Sequence, residues 1–294
     1  MKALAAPPAF APAVHTLVAL LDRLGRIDEA KQVCTIILAH EPGNGAAEAA
    51  LGFLLLKRDL DPEGALVHLE RALQAGVRDE EILSNRGIAL QDLGRLDDAL
   101  KSYDDALRLG PQFHAARFHR ALALLLRGEF DRAWSDYEVR LQSDDAPVVP
   151  RALPRWHGED RAGERMLVYS EQGIGDEIMF ASCLPDLLKR CPNVVLTCSP
   201  KLNGIFRRSF PQIQVAGSDP STQSPALLFD SACVALPIGS LPLYFRTSLS
   251  QFPQHQGYLR ADPELTAHYR DRLTSLGRMP KVGISWRGGT ARSR

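Results

Sequence analysis

The densest set of chemistry-bearing residues in the 294-residue chain is Glu171-Gln172-Gly173-Ile174-Gly175-Asp176-Glu177. Upstream, Met166-Leu167-Val168-Tyr169-Ser170 is an apolar run of strand type, and downstream a helix-like run opens at Ile178 and continues through Leu187 and Leu188. A strand, a glycine turn and a helix N-terminus in that order aim backbone N–H groups and the positive end of a helix dipole at the turn, and glycines let a ligand approach the backbone. The segment is therefore the candidate ligand site of the second half of the chain. Its side chains keep two readings each. Asp176 suits a helix cap accepting first-turn N–H groups, or a reactive carboxylate. Glu171 and Glu177 either hold a ligand or are a solvated loop acid and a first-turn helix acid, and Gln172 is able to hydrogen-bond a hydroxyl.

Several chemistries fail on the residues. A dinucleotide site needs G-x-G-x-x-G and an acid at the end of the second strand, but Ile178 stands at the third glycine position and Cys198-Ser199 end that strand. No G-K-[ST] follows the glycines, which excludes a Walker loop. Cys34, Cys183, Cys191, Cys198 and Cys233 form no C-x-x-C pair, so scattered reduced thiols in a cytoplasmic protein are expected, with no metal site. Lys+Arg and Asp+Glu both total 35, which gives no basic field for nucleic acid. Pro7, Pro8 and Pro12 interrupt any secretory h-region, and no apolar run reaches transmembrane length.

The elements that position the turn are of two kinds. Ala30, Ala65, Ala99 and Ala133 recur at intervals of 35, 34 and 34 residues, each shortly after a Gly or Asp turn. In the clearest unit Leu83, Gly87 and Leu90 mark a first helix, Gly94 a turn, and Ala99, Tyr103 and Ala106 a second helix stopped before Pro111. This spacing resembles the tetratricopeptide repeat, a helix-turn-helix unit that buries its apolar face only by stacking on neighbours. About four repeats are expected over residues 1–143. On the concave face, lined by first helices, Asn85 and His119 share a register whose counterparts are Thr16 and Leu51. They are either a peptide clamp or ordinary solvated polar residues. Prolines 147, 150 and 154 make residues 144–163 a linker, with Trp134, Tyr137 and Trp156 expected to pack the last repeat onto the next domain. From residue 164 to 279, apolar runs alternate with helical stretches: 166–170, 194–198, 213–216 and one within 227–236. The expected fold is α plus α/β, a tetratricopeptide solenoid followed by a Rossmann-like parallel-sheet domain. A further strand pattern, Lys281 to Trp286, and the turn Arg287-Gly288-Gly289-Thr290 begin another region at 280–294.

The order of repeats, then GEFDRAWSDYEVRL, then EQGIGDE within PRWHGEDRAGERMLVYSEQGIGDEIMFASCLPDL, then KVGISWRGG, resembles bacterial repeat proteins that carry a heptosyltransferase-like domain of glycosyltransferase family 9. The layout is similar to that of O-linked N-acetylglucosamine transferases. The resemblance implies a GT-B enzyme, with two Rossmann-like halves facing a cleft, the first holding the acceptor and the second a nucleotide-sugar donor. It implies Asp176 as the base for the acceptor hydroxyl, and Glu171, Gln172, Gly173, Gly175 and Glu177 as acceptor-binding. Arg287, Gly288, Gly289 and Thr290 then lie near the donor diphosphate, or form an exposed turn. Transfer would be inverting, without metal or cofactor, and the repeats would recruit a protein acceptor. Since a complete enzyme of this kind needs a further domain after Gly289, the expectation is that the chain as given transfers no sugar unless a partner supplies the donor half. The alternative is a non-catalytic repeat scaffold that binds proteins.

Overall fold

Within each repeat an apolar 3.6-residue pattern forms the first helix, which ends where a residue enters the left-handed region. In the computed structural model, which describes residues 11–142, 153–217, 232–254 and 257–283, the helices are α1 (Ala11–Arg23), α2 (Ile27–His40), α3 (Gly45–Leu54), α4 (Pro62–Gln74), α5 (Glu80–Asp92), α6 (Leu96–Leu109), α7 (His114–Arg127) and α8 (Phe130–Tyr137). Asn44, Asp61 and Asp79 cap α3, α4 and α5 by accepting from Ala47, Gly64 and Ile82 N–H groups. The paired helices approach closely at Gly87, where a Cβ would sit 2.4 Å from the buried Tyr103 ring.

Gly25, Gly94 and Gly128 close the first helices of the first, third and fourth repeats at φ of +72°, +74° and +81°. The equivalent residue of the second repeat is Leu60, at φ +55°. Between the α3 cap at Asn44 and Leu60 lies one more residue than between Asp79 and Gly94, and the surplus is taken up by a π-turn over Leu55–Asp59. This shifts the register of α3. The counterpart of Asn85 is Ala50 and not Leu51, because the inserted residue lies downstream of both.

Arginines one repeat apart tie the stack together. Arg86 bonds Glu70 of α4 and Ser102 of α6, and Arg120 bonds Asp104 of α6 and Asp136 of α8, each partner lying 16 residues before or after the arginine. One guanidinium thus links the second helices of two successive repeats.

The described residues fall in two compact units, Met1–Val148 with Gly239–Pro253, and Val149–Ile238 with Gln254–Arg294. In the first, residues returning after the sheet cover the last repeat. The Trp134 indole donates to the Arg246 carbonyl at 2.7 Å, the Phe130 and Phe252 rings lie 4.9 Å apart, Glu138 accepts from Ser240, and a short helix α12 (Pro242–Phe245) packs on α8. Trp134 and Tyr137 are therefore core residues of the end cap of the array.

The second unit is a four-stranded parallel sheet: β1 (Arg165–Tyr169), β2 (Asn193–Cys198), β3 (Gln214–Gly217) and β4 (Val234–Pro237), in the order β3-β2-β1-β4. Met166 pairs with Val194 on one side and Val234 on the other. Continuous apolar runs suit strands buried on both faces, and Met166, Leu167 and Val168 are fully buried. Helices α9 (Ile174–Ala181) and α10 (Leu184–Arg190) connect β1 to β2, and α11 (Asn203–Ser209) connects β2 to β3. Trp156, which the sequence suggests as packing for the last repeat, is buried inside this unit. Its backbone N–H bonds Ala235 at the β4 edge and its indole donates to the Glu159 carbonyl. A final helix, α13 (Pro263–Ser275), is exposed along its whole length. No described helix is long and apolar enough to cross a membrane.

Candidate functional site

The first helices of successive repeats lie side by side, and their inner faces enclose a groove of about 430 Å³ between α1, α3 and α5. Its floor is built from small and apolar side chains, among them Val18, Ala19, Ala49, Ala50, Phe53 and Ile82. Alanine at 49 and 50 leaves the space that a larger side chain would fill. Polar groups stand around it: His15 and Arg23 on α1, Lys57 on the π-turn after α3, Asp79 at the cap of α5, and Glu81 and Asn85 on α5.

The π-turn sets one wall. It carries Lys57 and Arg58 onto Asp22 of α1, with Arg58 Nε at 2.6 Å from one carboxylate oxygen and Lys57 Nζ at 3.4 Å from the other. The Arg58 hydrogen bond is the main reason the Asp22 carboxyl is held below its ordinary pKa, against the opposing effect of burial. Lys57 also lies 4.9 Å from the Phe53 ring centroid. Lys31 bonds Asp59 at 2.6 Å, so cations and acids fix both flanks of the turn.

Of the two residues singled out for peptide binding, Asn85 lines the groove and His119 does not. The His119 ring stacks on Tyr103 at 6.2 Å and meets Phe118 edge-on at 5.9 Å. Burial pushes its pKa down, with Asp92 acting in the other direction, and the ring serves as packing between Tyr103 and Phe118. Sequence reasoning passed over Phe53, Lys57 and Asp22. Their signals were a Phe-x-x-x-Lys pair on one helix face and the missing turn glycine at Leu60.

In the other unit, the Glu171–Glu177 turn lies at the carboxyl end of β1, the strand with β2 on one side and β4 on the other. Gly173 is the N-cap of α9, and Asp176, three residues into the helix, reaches back so that its Oδ2 accepts the Gly173 N–H at 3.2 Å. The aspartate is thus a capping group that acts from inside the helix and not from the cap position. Gly173 and Gly175 are exposed and have φ values open to any residue, and a Cβ on Gly175 would meet nothing within 4 Å. Neither backbone strain nor packing in the described chain demands glycine at 175.

Glu177 is an acid of the first turn of α9, as one sequence reading had it, but it is not solvated. It is 3% exposed, turned inward, and its Oε2 accepts the Ser199 N–H at 2.9 Å, bracing α9 against the end of β2. Burial raises its pKa, the Ser199 N–H opposes that, and the Asp176 charge adds to it. Glu171 and Gln172 are half-buried beside the turn. Arg287, Gly288, Gly289 and Thr290 lie outside the described residues. All five cysteines are free thiols, and among the described residues no group of three or more His, Cys, Asp or Glu is placed to hold a metal ion.

Comparison with known proteins places this geometry in context. Residues 84–146 match the tetratricopeptide repeat family model. The chain is 30% identical over 289 residues to protein FlbA of Caulobacter vibrioides, covering 93% of this chain and 48% of that protein. It is 24% identical over 124 residues to the Hsp70-Hsp90 organizing protein of Triticum aestivum, covering 42% of this chain and 21% of that one. The chain thus spans about half the length of the first relative and about a fifth of the second. Solved structures similar to part of it include the tetratricopeptide protein YrrB, at TM-score 0.39 and 21% identity over 45% of this chain and 67% of that one. Pseudomonas aeruginosa PilF is similar at TM-score 0.40 and 22% identity, over 45% of this chain and 60% of that one. Over residues 84–146 the helical unit is tetratricopeptide repeat.

Proposed function

We propose that the protein is an interaction scaffold whose repeat array holds an extended segment of a partner protein in the groove between α1, α3 and α5. The observation that carries this reading is the groove itself, about 430 Å³ with an apolar floor and charged rims, formed by three successive first helices. A cavity of that size takes a few residues of peptide, and alternate side chains of an extended segment would meet the floor while its polar groups meet Asn85, Arg23 and Lys57. The wheat relative's name, that of an organizing protein for Hsp70 and Hsp90, agrees with a role in holding proteins together. The test is selection of a displayed random-peptide library on the whole chain, followed by calorimetry with the selected peptides. Ala49→Arg fills the floor and is expected to weaken binding at least tenfold while leaving the circular dichroism unchanged. Equal binding to the variant, or no enriched peptide, would remove the groove assignment.

A second reading is favoured by the turn after β1. In it the α/β unit is the Rossmann-like acceptor half of a GT-B glycosyltransferase and the repeats recruit the protein acceptor. Its support is an exposed pair of glycines at the carboxyl end of a parallel strand, beside the point where strand order reverses, the usual place for a ligand in open α/β sheets. Asp176 would then be the base that takes the acceptor hydroxyl's proton, with Glu171, Gln172, Gly173 and Gly175 around the acceptor and the Arg287–Thr290 turn toward the nucleotide-sugar phosphates. Glu177 would hold the turn from behind. Isothermal titration with nucleotide sugars and a transfer assay on Asp176→Ala, both with the donor half supplied, check this reading. Turnover unaffected by the substitution would dismiss the base.

A further inference from the structure

The two ends of the repeat array are finished differently. At the far end Trp134 is 7% exposed and the Phe130 ring lies 4.9 Å from that of Phe252, tilted at 50° to it, because residues 239–253 lie over α8 as a cap. At the near end α1 has no such cover among the described residues. Its inward stripe of Val14, Val18 and Leu21 is buried, but Ala13, Leu17, Leu20 and Leu24 form a second stripe, with the leucines 43%, 51% and 60% exposed.

The repeats themselves show what that second stripe is for. With α3, α5 and α7 aligned on their caps and α1 on its turn glycine Gly25, Leu20 corresponds to Leu54, Ala89 and Ala123 of α3, α5 and α7, and all three are fully buried. Ala13 corresponds to Ala47, Ile82 and Ala116, which are 0%, 5% and 0% exposed. Leu17 corresponds to Leu51, Arg86 and Arg120, and both arginines bond the second helix of the preceding repeat. In every later repeat, then, this face lies against the helix before it. On α1 the same face is a docking surface with no occupant among the described residues, continuous in register with the interfaces between repeats.

We propose that this face pairs with α1 of a second copy of the chain in a two-fold symmetric dimer. Head-to-tail stacking, which would place the last repeat of one copy on α1 of the next, is blocked because residues 239–253 already cover that repeat. A symmetric pairing remains. Positions 13, 17, 20 and 24 have the i, i+4, i+7, i+11 spacing of a coiled-coil seam. In an antiparallel pair about a two-fold between residues 17 and 20, Leu17 meets the partner subunit's Leu20 and the small Ala13 faces the partner subunit's Leu24. The residues of α1 that line the groove, His15, Val18, Ala19, Asp22 and Arg23, lie on another face, so the dimer leaves the groove open. A seam of about 16 Å on one helix of each copy is smaller than a standard interface, which sets the expectation of reversible association in the micromolar range.

Sedimentation velocity of the full chain over a concentration series tests this. The expected result is a monomer–dimer equilibrium that Leu17→Glu with Leu20→Glu converts to monomer at every concentration, with unchanged circular dichroism because both side chains are exposed in the monomer. A chain that is monomeric throughout, or a dimer that survives the double substitution, overturns the proposal. Thiol labelling of Leu20→Cys in a Cys233→Ser background identifies the alternative occupant. Slow labelling that does not depend on concentration means that residues 1–10 or another segment of the same chain cover the face, which also overturns it. Labelling that slows as concentration rises supports it.

Discussion

Leu60 stands where the other three repeats use glycine, in the left-handed region at φ +55° with its side chain 74% exposed. A Cβ in that region costs about 1–2 kcal/mol, whereas glycine loses roughly 0.4–1 kcal/mol through the greater freedom of the unfolded chain. The comparison that isolates the backbone is Leu60→Ala against Leu60→Gly, since both remove the same exposed side chain and differ only in Cβ. From these opposing effects Leu60→Gly should be the more stable of the two by about 0.5–1 kcal/mol. At an ordinary helical position the order reverses: Lys101, exposed on α6, should favour alanine over glycine by about 0.8–1 kcal/mol. Urea unfolding of the four variants, with midpoints compared at a common m-value, reads both differences. If Leu60→Ala equals or exceeds Leu60→Gly, the left-handed turn is not strained, and the view that the π-turn and Leu60 together absorb the extra residue is wrong. The position bears on the groove, because the same turn places Lys57 and Arg58 on Asp22.

Two other substitutions test the packing of each unit. Arg120→Ala removes one bidentate bond to Asp136 and one to Asp104 from a site whose side chain is 21% exposed. The expected loss is about 1–3 kcal/mol, between that of an exposed and a buried pair. A double-mutant cycle with Asp136→Ala should show positive coupling, and strict additivity would mean the arginine braces nothing. For Glu177, burial raises the folded-state pKa, so the unfolded chain releases its proton first, near pH 4.3. The stabilising effect is complete below that pH and is lost as pH rises through the folded-state value. Glu177→Gln keeps an oxygen for the Ser199 N–H and removes the titration, so the pH slope of unfolding above about 4.3 should flatten. An unchanged slope would place the carboxyl in solvent.

Much of the fold was legible because it is written in periods. The alanine spacing gave the repeats, and the continuous apolar runs at 166–170 and 194–198 gave parallel strands, since strands buried on both faces leave no polar alternation. The first alanine interval, 35 where the others are 34, already held the extra residue of α3. Spacing alone does not locate an insertion, so the Asn85 register was carried to Leu51 when it belongs to Ala50. The direction of single side chains was less legible. Glu177 follows Asp176 in the first turn of a helix, and only the tertiary position of β2 decides that it points inward to Ser199. His119 shares its register with Asn85 but sits on the Tyr103 ring, a contact no local pattern announces. The capping of α8 by residues 239–253 was hidden for the same reason, being a long-range pairing of aromatics such as Phe130 and Phe252.

The central claim, that the groove between α1, α3 and α5 holds a partner's peptide, is tested most directly by photo-crosslinking mass spectrometry with a library-selected peptide that carries a photoreactive residue. The account predicts cross-links to the groove-facing residues of these three helices, Ala19, Ala49, Phe53 and Asn85 among them, and their loss in Ala49→Arg. Cross-links concentrated on the β1–α9 turn or on α13, with the groove unlabelled, would contradict it.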